Sequence, residues 1–156
     1  MGIEIERKFL VSSDGWRQPA STQTRFSQGY LSRDPARTVR VRIAGERAFL
    51  TIKGATTGAT RAEFEYEVPV TDAVQLLALS DGPVVEKIRH LCVFEGMTWE
   101  VDEFLGANAG LVVAEIELQD ESQAFAKPAW LGEEVTGDAR YVNANLAVNP
   151  FTRWAR

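Results

Sequence analysis

Several short segments of this chain alternate charged and apolar residues, and most of them keep their charges to one sign. In 38–43, Arg40 and Arg42 alternate with Val39, Val41 and Ile43. Ala44-Gly45-Glu46 marks a turn, and 47–54 returns with Thr51 and Lys53 on one face and Leu50 and Ile52 on the other. Glu63, Glu65 and Glu67 alternate with Phe64, Tyr66 and Val68. Lys87 and Arg89 share a face in 84–93, Glu100 and Asp102 in 97–104, and Glu115 and Glu117 in 111–118. Side chains two positions apart lie on the same face of a strand, so each segment reads as a strand with one ionic and one apolar face. A half-buried antiparallel sheet also turns a polar face to water, but such faces usually mix signs, because like charges side by side repel. Faces sorted by sign make sense where they converge. A closed antiparallel barrel gathers them around one lumen. There the acidic strands offer oxygen ligands to hard divalent cations, and the basic strands offer arginine forks to a phosphate-like anion.

The N-terminal segment 2–11 fits this plan. Glu4, Glu6 and Lys8 fall on one face, with Ile3, Ile5 and Phe9 opposite; Arg7 is the exception on the apolar face, where its long stem can snorkel outward. At an effective dielectric near 20, two unit charges roughly 4 Å apart interact by about 4 kcal/mol, a repulsion that a divalent cation would turn into binding. A further short strand is expected over 25–31, a Gly/Thr/Ala loop over 54–60 and an acidic loop over 132–137. Helices are expected near 72–80, where Asp72 and Gln75 resemble a capping box and Gly82-Pro83 ends the run, and near 120–126 and 138–148, the last capped by Thr136 or Asp138. These helices are expected to cover the apolar outside of the barrel. No repeat, low-complexity tract or linker divides the chain, so residues 1–156 are read as one domain.

Composition narrows the function. With 156 residues, 45% hydrophobic and 25% charged, the chain is long enough for a full core and too apolar for disorder. A formal charge of −5 disfavours non-specific contact with nucleic acid or anionic membrane, while leaving room for a local basic pocket. A single histidine, His90, removes paired-His metal sites and most His-based triads, and on the opposite strand face from Lys87 and Arg89 it is a poor base. A single cysteine, Cys92, allows no internal disulfide and reads as a buried structural thiol. With no signal peptide and no long apolar run, the expected location is cytoplasmic.

The ordered series of motifs resembles the CYTH superfamily, the triphosphate tunnel metalloenzymes, along nearly the whole chain. It begins with Glu4-x-Glu6-x-Lys8 and continues with Gln28-Gly29-Tyr30-Leu31, the basic hairpin of Arg40, Arg42 and Lys53, and Glu63 with Glu65 after Arg61. Glu86-Lys87-Ile88-Arg89, Glu100-x-Asp102-x-Phe104 and Glu115-x-Glu117 follow. The segment from Gly132-Glu133-Glu134-Val135-Thr136 to Arg140-Tyr141-x-Asn143 is similar to the short bacterial members. The resemblance implies a mainly β protein, an eight-stranded antiparallel barrel enclosing a tunnel, that hydrolyses a triphosphate with Mg²⁺ or Mn²⁺. It implies metal ligands at Glu4, Glu6, Asp102, Glu115 and Glu117. It implies phosphate contacts from Lys8, Arg40, Arg42, Lys53, Lys87, Arg89 and Arg140. Glu63, Glu65 and Glu100 would orient those cations, bind metal through water, or serve as structural ion-pair partners.

The expected reaction is hydrolysis of inorganic triphosphate to pyrophosphate and phosphate. Two ions would divide the work, one on phosphate oxygens and one on water. Lys87 is the acid–base candidate, with Tyr30 as its partner by resemblance; the plainer reading is that Lys87 only binds phosphate. The alternatives are an enzyme on nucleoside or thiamine triphosphate, a cyclase acting on ATP, or a non-catalytic module binding polyphosphate or nucleotide. Trp16, Trp99 and Trp130 read as packing residues first and as stacking platforms for an organic group second. The tail with Phe151 and Trp154 is expected either to close one tunnel end or to form a homodimer contact.

Overall fold

The computed structural model describes residues 2–19 and 21–154. The alternating segments form strands β1 (Ile3–Val11), β2 (Thr22–Ser32), β3 (Arg37–Ala44), β4 (Arg47–Gly54) and β5 (Thr60–Val68). After helix α1 (Val70–Leu77) come β6 (Val85–Phe94), β7 (Met97–Phe104), β8 (Val112–Glu117) and β9 (Leu131–Glu134). The spatial order is β5-β4-β3-β2-β6-β7-β8-β1, and β5 closes back on β1 to complete an eight-stranded antiparallel barrel. Closure splits β1 along its length: Ile3 to Ile5 pair with β5, whereas Phe9 and Val11 pair with β9 on that same side. Glu6 and Lys8 therefore sit where two partner strands diverge. The β6–β7 hairpin turns on Glu95 and Gly96, both at positive φ (46° and 81°), the two-residue geometry that matches strand twist.

The apolar faces do point outward, but helices cover only part of them. α1 packs Ala73, Leu76 and Leu77 against Val41, Ile43, Ala48 and Leu50 of the β3–β4 hairpin. Elsewhere irregular chain does the covering. Trp16 and Trp130, from 12–19 and 118–130, join Phe9, Trp99, Val101 and Ile116 in one aromatic cluster. Ile3, Ile52, Phe64 and Tyr66 remain exposed on the outside of β1, β4 and β5.

Several expected elements differ. No helix forms over 120–126, because the Asp120 carboxylate accepts from the backbone and hydroxyl of Ser122 and closes a local turn instead. The helix expected over 138–148 breaks in two at Val142, which is extended; a 3₁₀ turn (Ala139–Tyr141) and the short α2 (Asn143–Leu146) result. Asp138 does cap the 3₁₀ turn, accepting from the Arg140 backbone N–H. α1 begins after Pro69 with no side-chain cap, so Asp72 lies inside its first turn. The acidic loop over 132–137 contains β9.

This C-terminal segment closes one end of the barrel. Tyr30, Val85, Phe104 and Val113 carry on the inward faces of Gln28, Lys87, Asp102 and Glu115, and they pack on Tyr141, Ala144, Leu146 and Ala147. Phe151 and Trp154 pack on the same cluster, which places the tail on the closed end. No helix among the described residues is long and apolar enough to cross a membrane.

Candidate active site

The lumen holds a cavity of about 200 Å³ with acidic and basic arcs. Registers set the arcs. Glu6 lies beside Glu117 and Lys8 beside Glu115 across β1–β8; Arg89 lies beside Asp102 across β6–β7. Arg40 and Arg42 face Thr51 and Phe49 across the β3–β4 hairpin.

On the basic arc most cations meet an acid; Arg42 is the exception among the described residues, and burial, Arg40 and Arg89 bring it down to about 9. Asp102 is wholly buried; it accepts from Lys87 Nζ at 2.6 Å and from Arg89 Nε and Nη2 at 2.8 and 2.9 Å. Burial would raise its pKa, but Arg89 and Lys87 hold it below the usual carboxylate range. Arg89 also meets Glu100 at 3.2 Å. Lys53 lies 3.1 Å from Glu4 and 3.3 Å from Glu63, and Arg40 is 3.7 Å from Glu65. The ring of Phe26 lies under the guanidinium groups of Arg42 and Arg89, 4.6 and 4.8 Å from its centroid, and spreads their charge over a π face. Burial, opposed by Asp102 and reinforced by Arg89 and Arg42, brings Lys87 down to about 7. Arg40 is buried, yet its Nε has no hydrogen-bond partner among the described residues.

On the acidic arc the balance fails. Burial pushes the Glu6 carboxyl well above its ordinary range, and Glu115 and Glu4 push it further. Glu4 is raised by burial and Glu63 against the pull of Lys53. Glu117 is raised by burial and by Glu4. Burial also works against Glu115, but Lys8 and the other cations bring it down to about 2. The result is hard oxygen donors carrying more negative charge than the protein neutralises. Among the described residues no three Asp, Glu, His or Cys side chains are already gathered around one point to hold an ion. Carboxylates are hard oxygen donors of the kind Mg²⁺-like ions take one or two at a time, with water and substrate phosphates completing the shell. The donor set therefore fits a divalent cation.

Of the residues singled out from sequence, all but Asp102 and Arg140 line this cavity. Asp102 lies behind Lys87 and Arg89. Arg140 sits on the outside, paired with Asp138 at 2.7 Å and stacked near Tyr141 and Trp154. Tyr30 lines the lumen, but no hydrogen bond joins it to Lys87 among the described residues; its hydroxyl accepts from Gln28 Nε2 at 3.0 Å. His90 faces outward, buried against Trp16 and 3.2 Å from Glu103. Cys92 is buried on the same face. Sequence reasoning left Arg61, Thr38, Gln28, Phe26 and Asn143 out of the site. Arg61 and Thr38 line the cavity, their side chains 3.4 Å apart. Arg61 was legible from its charge beside Glu63; the neutral residues carried no such signal. A second cavity of about 240 Å³ adjoins the first, sharing Glu6, Lys8 and Arg61, and is otherwise walled mainly by small side chains such as Ala59 and Ala139.

Fold and lumen together define a class: closed antiparallel barrels with an ionic tunnel. The chain belongs to the CYTH domain family, whose sequence profile matches residues 2–146. It is 53% identical over 152 residues to an inorganic triphosphatase of Acetivibrio thermocellus, covering 97% of both chains. It is 37% identical to an inorganic triphosphatase of Nitrosomonas europaea, covering 94% of this chain and 97% of that one. The crystal structure of the inorganic triphosphatase NE1496 superposes with a TM-score of 0.68 at 36% identity, covering 93% of this chain and 94% of that one.

Proposed function

We propose that this protein is a divalent-metal-dependent triphosphatase that cleaves inorganic triphosphate to pyrophosphate and phosphate within the barrel. The observation that carries the reading is a carboxylate arc, with Glu4, Glu6 and Glu117 all raised in pKa, facing a fixed cation arc across one small cavity. Family membership implies dependence on a divalent metal. We assign Glu4, Glu6, Glu115 and Glu117 as its ligands and Mg²⁺ or Mn²⁺, two ions, as the metal. A divalent ion held by these carboxylates would supply charge neutralisation and Lewis-acid polarisation of the phosphoryl group.

The remaining work falls to the chain's own side chains. Lys8, Arg40, Arg42, Lys53 and Arg89 hold phosphate oxygens from largely buried positions, where aligned donors act strongly on spreading charge. Arg40 Nε is a donor already desolvated and waiting for an acceptor. Glu63, Glu65 and Glu100 orient Lys53, Arg40 and Arg89. Asp102 anchors the cations from behind. Lys87, tuned to about 7, can give and take a proton near neutral pH, and Tyr30 stands two hydrogen-bonded side chains away as its partner.

Inorganic substrate is favoured by the walls. The charged lumen itself is small, about 200 Å³, with the second cavity of about 240 Å³ beside it. Among the described residues neither cavity is lined by a tryptophan; Trp16, Trp99 and Trp130 are buried in the outer cluster. Phosphate release from inorganic triphosphate, ATP and thiamine triphosphate, compared side by side with Mg²⁺ or Mn²⁺, tests the reading. Inorganic triphosphate should lead, and both a chelator and Glu4→Gln should abolish turnover. A lead for an organic triphosphate would assign the adjoining cavity to the organic group. Binding without any turnover would leave a binding module.

A further inference from the structure

The C-terminal segment that closes the barrel sends one side chain into the cation arc. Asn143 Oδ1 accepts from Lys87 Nζ at 2.9 Å and from Gln28 Nε2 at 3.0 Å. Every donor in this network has a forced direction. Arginine only donates, so the 2.9 Å contact from Arg42 Nε fixes the Gln28 carbonyl oxygen towards Arg42. That turns Gln28 Nε2 towards Tyr30 and Asn143. Lysine also only donates when charged, so both neighbours of Asn143 demand its oxygen.

The count of Lys87 donors then matters. An ammonium has three N–H groups. Asp102 takes one and Asn143 takes another, and the side chain is 1% exposed. One N–H remains, and Lys87 lines the cavity. With Asp102 alone, a single hydrogen bond resists rotation of the ammonium about Cε–Nζ. A second acceptor from a different part of the chain raises that barrier and holds the third N–H in place.

We propose that Asn143 is a positioning residue: it locks Lys87 so that the one remaining donor faces the substrate, and so ties the closing segment to the reacting end of the lumen. The consequence for turnover rests on the triphosphatase reading; the locking itself does not. The test accordingly has two arms. In the first, the whole protein without substrate is labelled with ¹⁵N at lysine, and rotation of the Lys87 ammonium about Cε–Nζ is followed by ¹⁵N NMR relaxation below pH 7, where the amine is charged. Rotation should be slow in the native protein, faster in Asn143→Ala, and slow again in Asn143→Asp, which keeps an oxygen acceptor. Unchanged Lys87 rotation in Asn143→Ala would overturn the proposal whatever the substrate is. Asn143→Leu, close in shape to asparagine and without an acceptor, serves the same comparison if the alanine variant does not fold. In the second arm, Asn143→Ala should lower kcat on inorganic triphosphate by about 10- to 100-fold, as a small misplacement does, with KM nearly unchanged. In a Lys87→Met background the same change should have little further effect. Equal losses in both backgrounds would overturn it. Absence of turnover in the native protein would instead refute the triphosphatase reading and leave the NMR arm to decide the locking.

Discussion

The two walls of the lumen solve the burial of charge in opposite ways. Across β6–β7, Asp102 faces Lys87 and Arg89 with both its oxygens engaged. Across β1–β8, Glu6 faces Glu117 in register, with Glu4 and Glu115 close by, and Lys8 is the cation that the strands themselves supply. The first wall is complete as folded. The second is stable only in part: burial and neighbouring carboxylates raise Glu4, Glu6 and Glu117 above their usual pKa, while Lys8 holds Glu115 low. The difference separates charges that build the site from charges that wait for a ligand.

Breaking the complete wall should have the largest effect. Asp102→Ala leaves two buried cations without their shared anion, and removing one member of a buried ion pair costs about 3–5 kcal/mol. Thermal unfolding should show that loss even in a chelator. Next is Lys87→Arg, which keeps the charge but not a pKa near 7. If Lys87 moves a proton, turnover should fall by about 10²- to 10⁴-fold; near-normal turnover would reduce it to a phosphate contact.

A smaller effect sharpens the other wall. The folded Glu6 carboxyl is raised above its ordinary 4.5, so above that pH the folded chain retains a proton that the unfolded chain has released. Stability in chelator should therefore fall as pH climbs through that window, and Glu6→Gln should flatten the slope. Smallest of all is Arg140→Ala. Outside the lumen and paired with Asp138, Arg140 should be replaceable with KM changed by no more than about twofold.

Much of this arrangement was legible in sequence because a period of two survives folding. Arg40 with Arg42, Glu63 with Glu65, and Lys87 with Arg89 each had to share a face, and the faces had to converge. What strand-by-strand reading cannot give is register. Asp102 looked like Glu100 and Glu115, another acid on an acidic strand, until pairing with Arg89 set it behind the cations. Asn143 and Gln28 are neutral and act through geometry, so no charge pattern marked them. β9 is four residues long, includes Gly132, and pairs with β1 through an irregular register, too little alternation to declare a strand. The helix over 138–148 failed because the segment is shaped by the barrel end that it closes.

The most direct test of the account is thermal unfolding of the native protein and Glu6→Gln, first in chelator and then with Mn²⁺. An uncompensated metal-binding wall predicts that Glu6→Gln is the more stable protein in chelator. It also predicts that Mn²⁺ raises the native midpoint, by an amount set by how far the ion exceeds its dissociation constant, and barely moves the variant. Equal Mn²⁺ shifts in the two proteins, or a Glu6→Gln protein less stable in chelator than the native one, would contradict it.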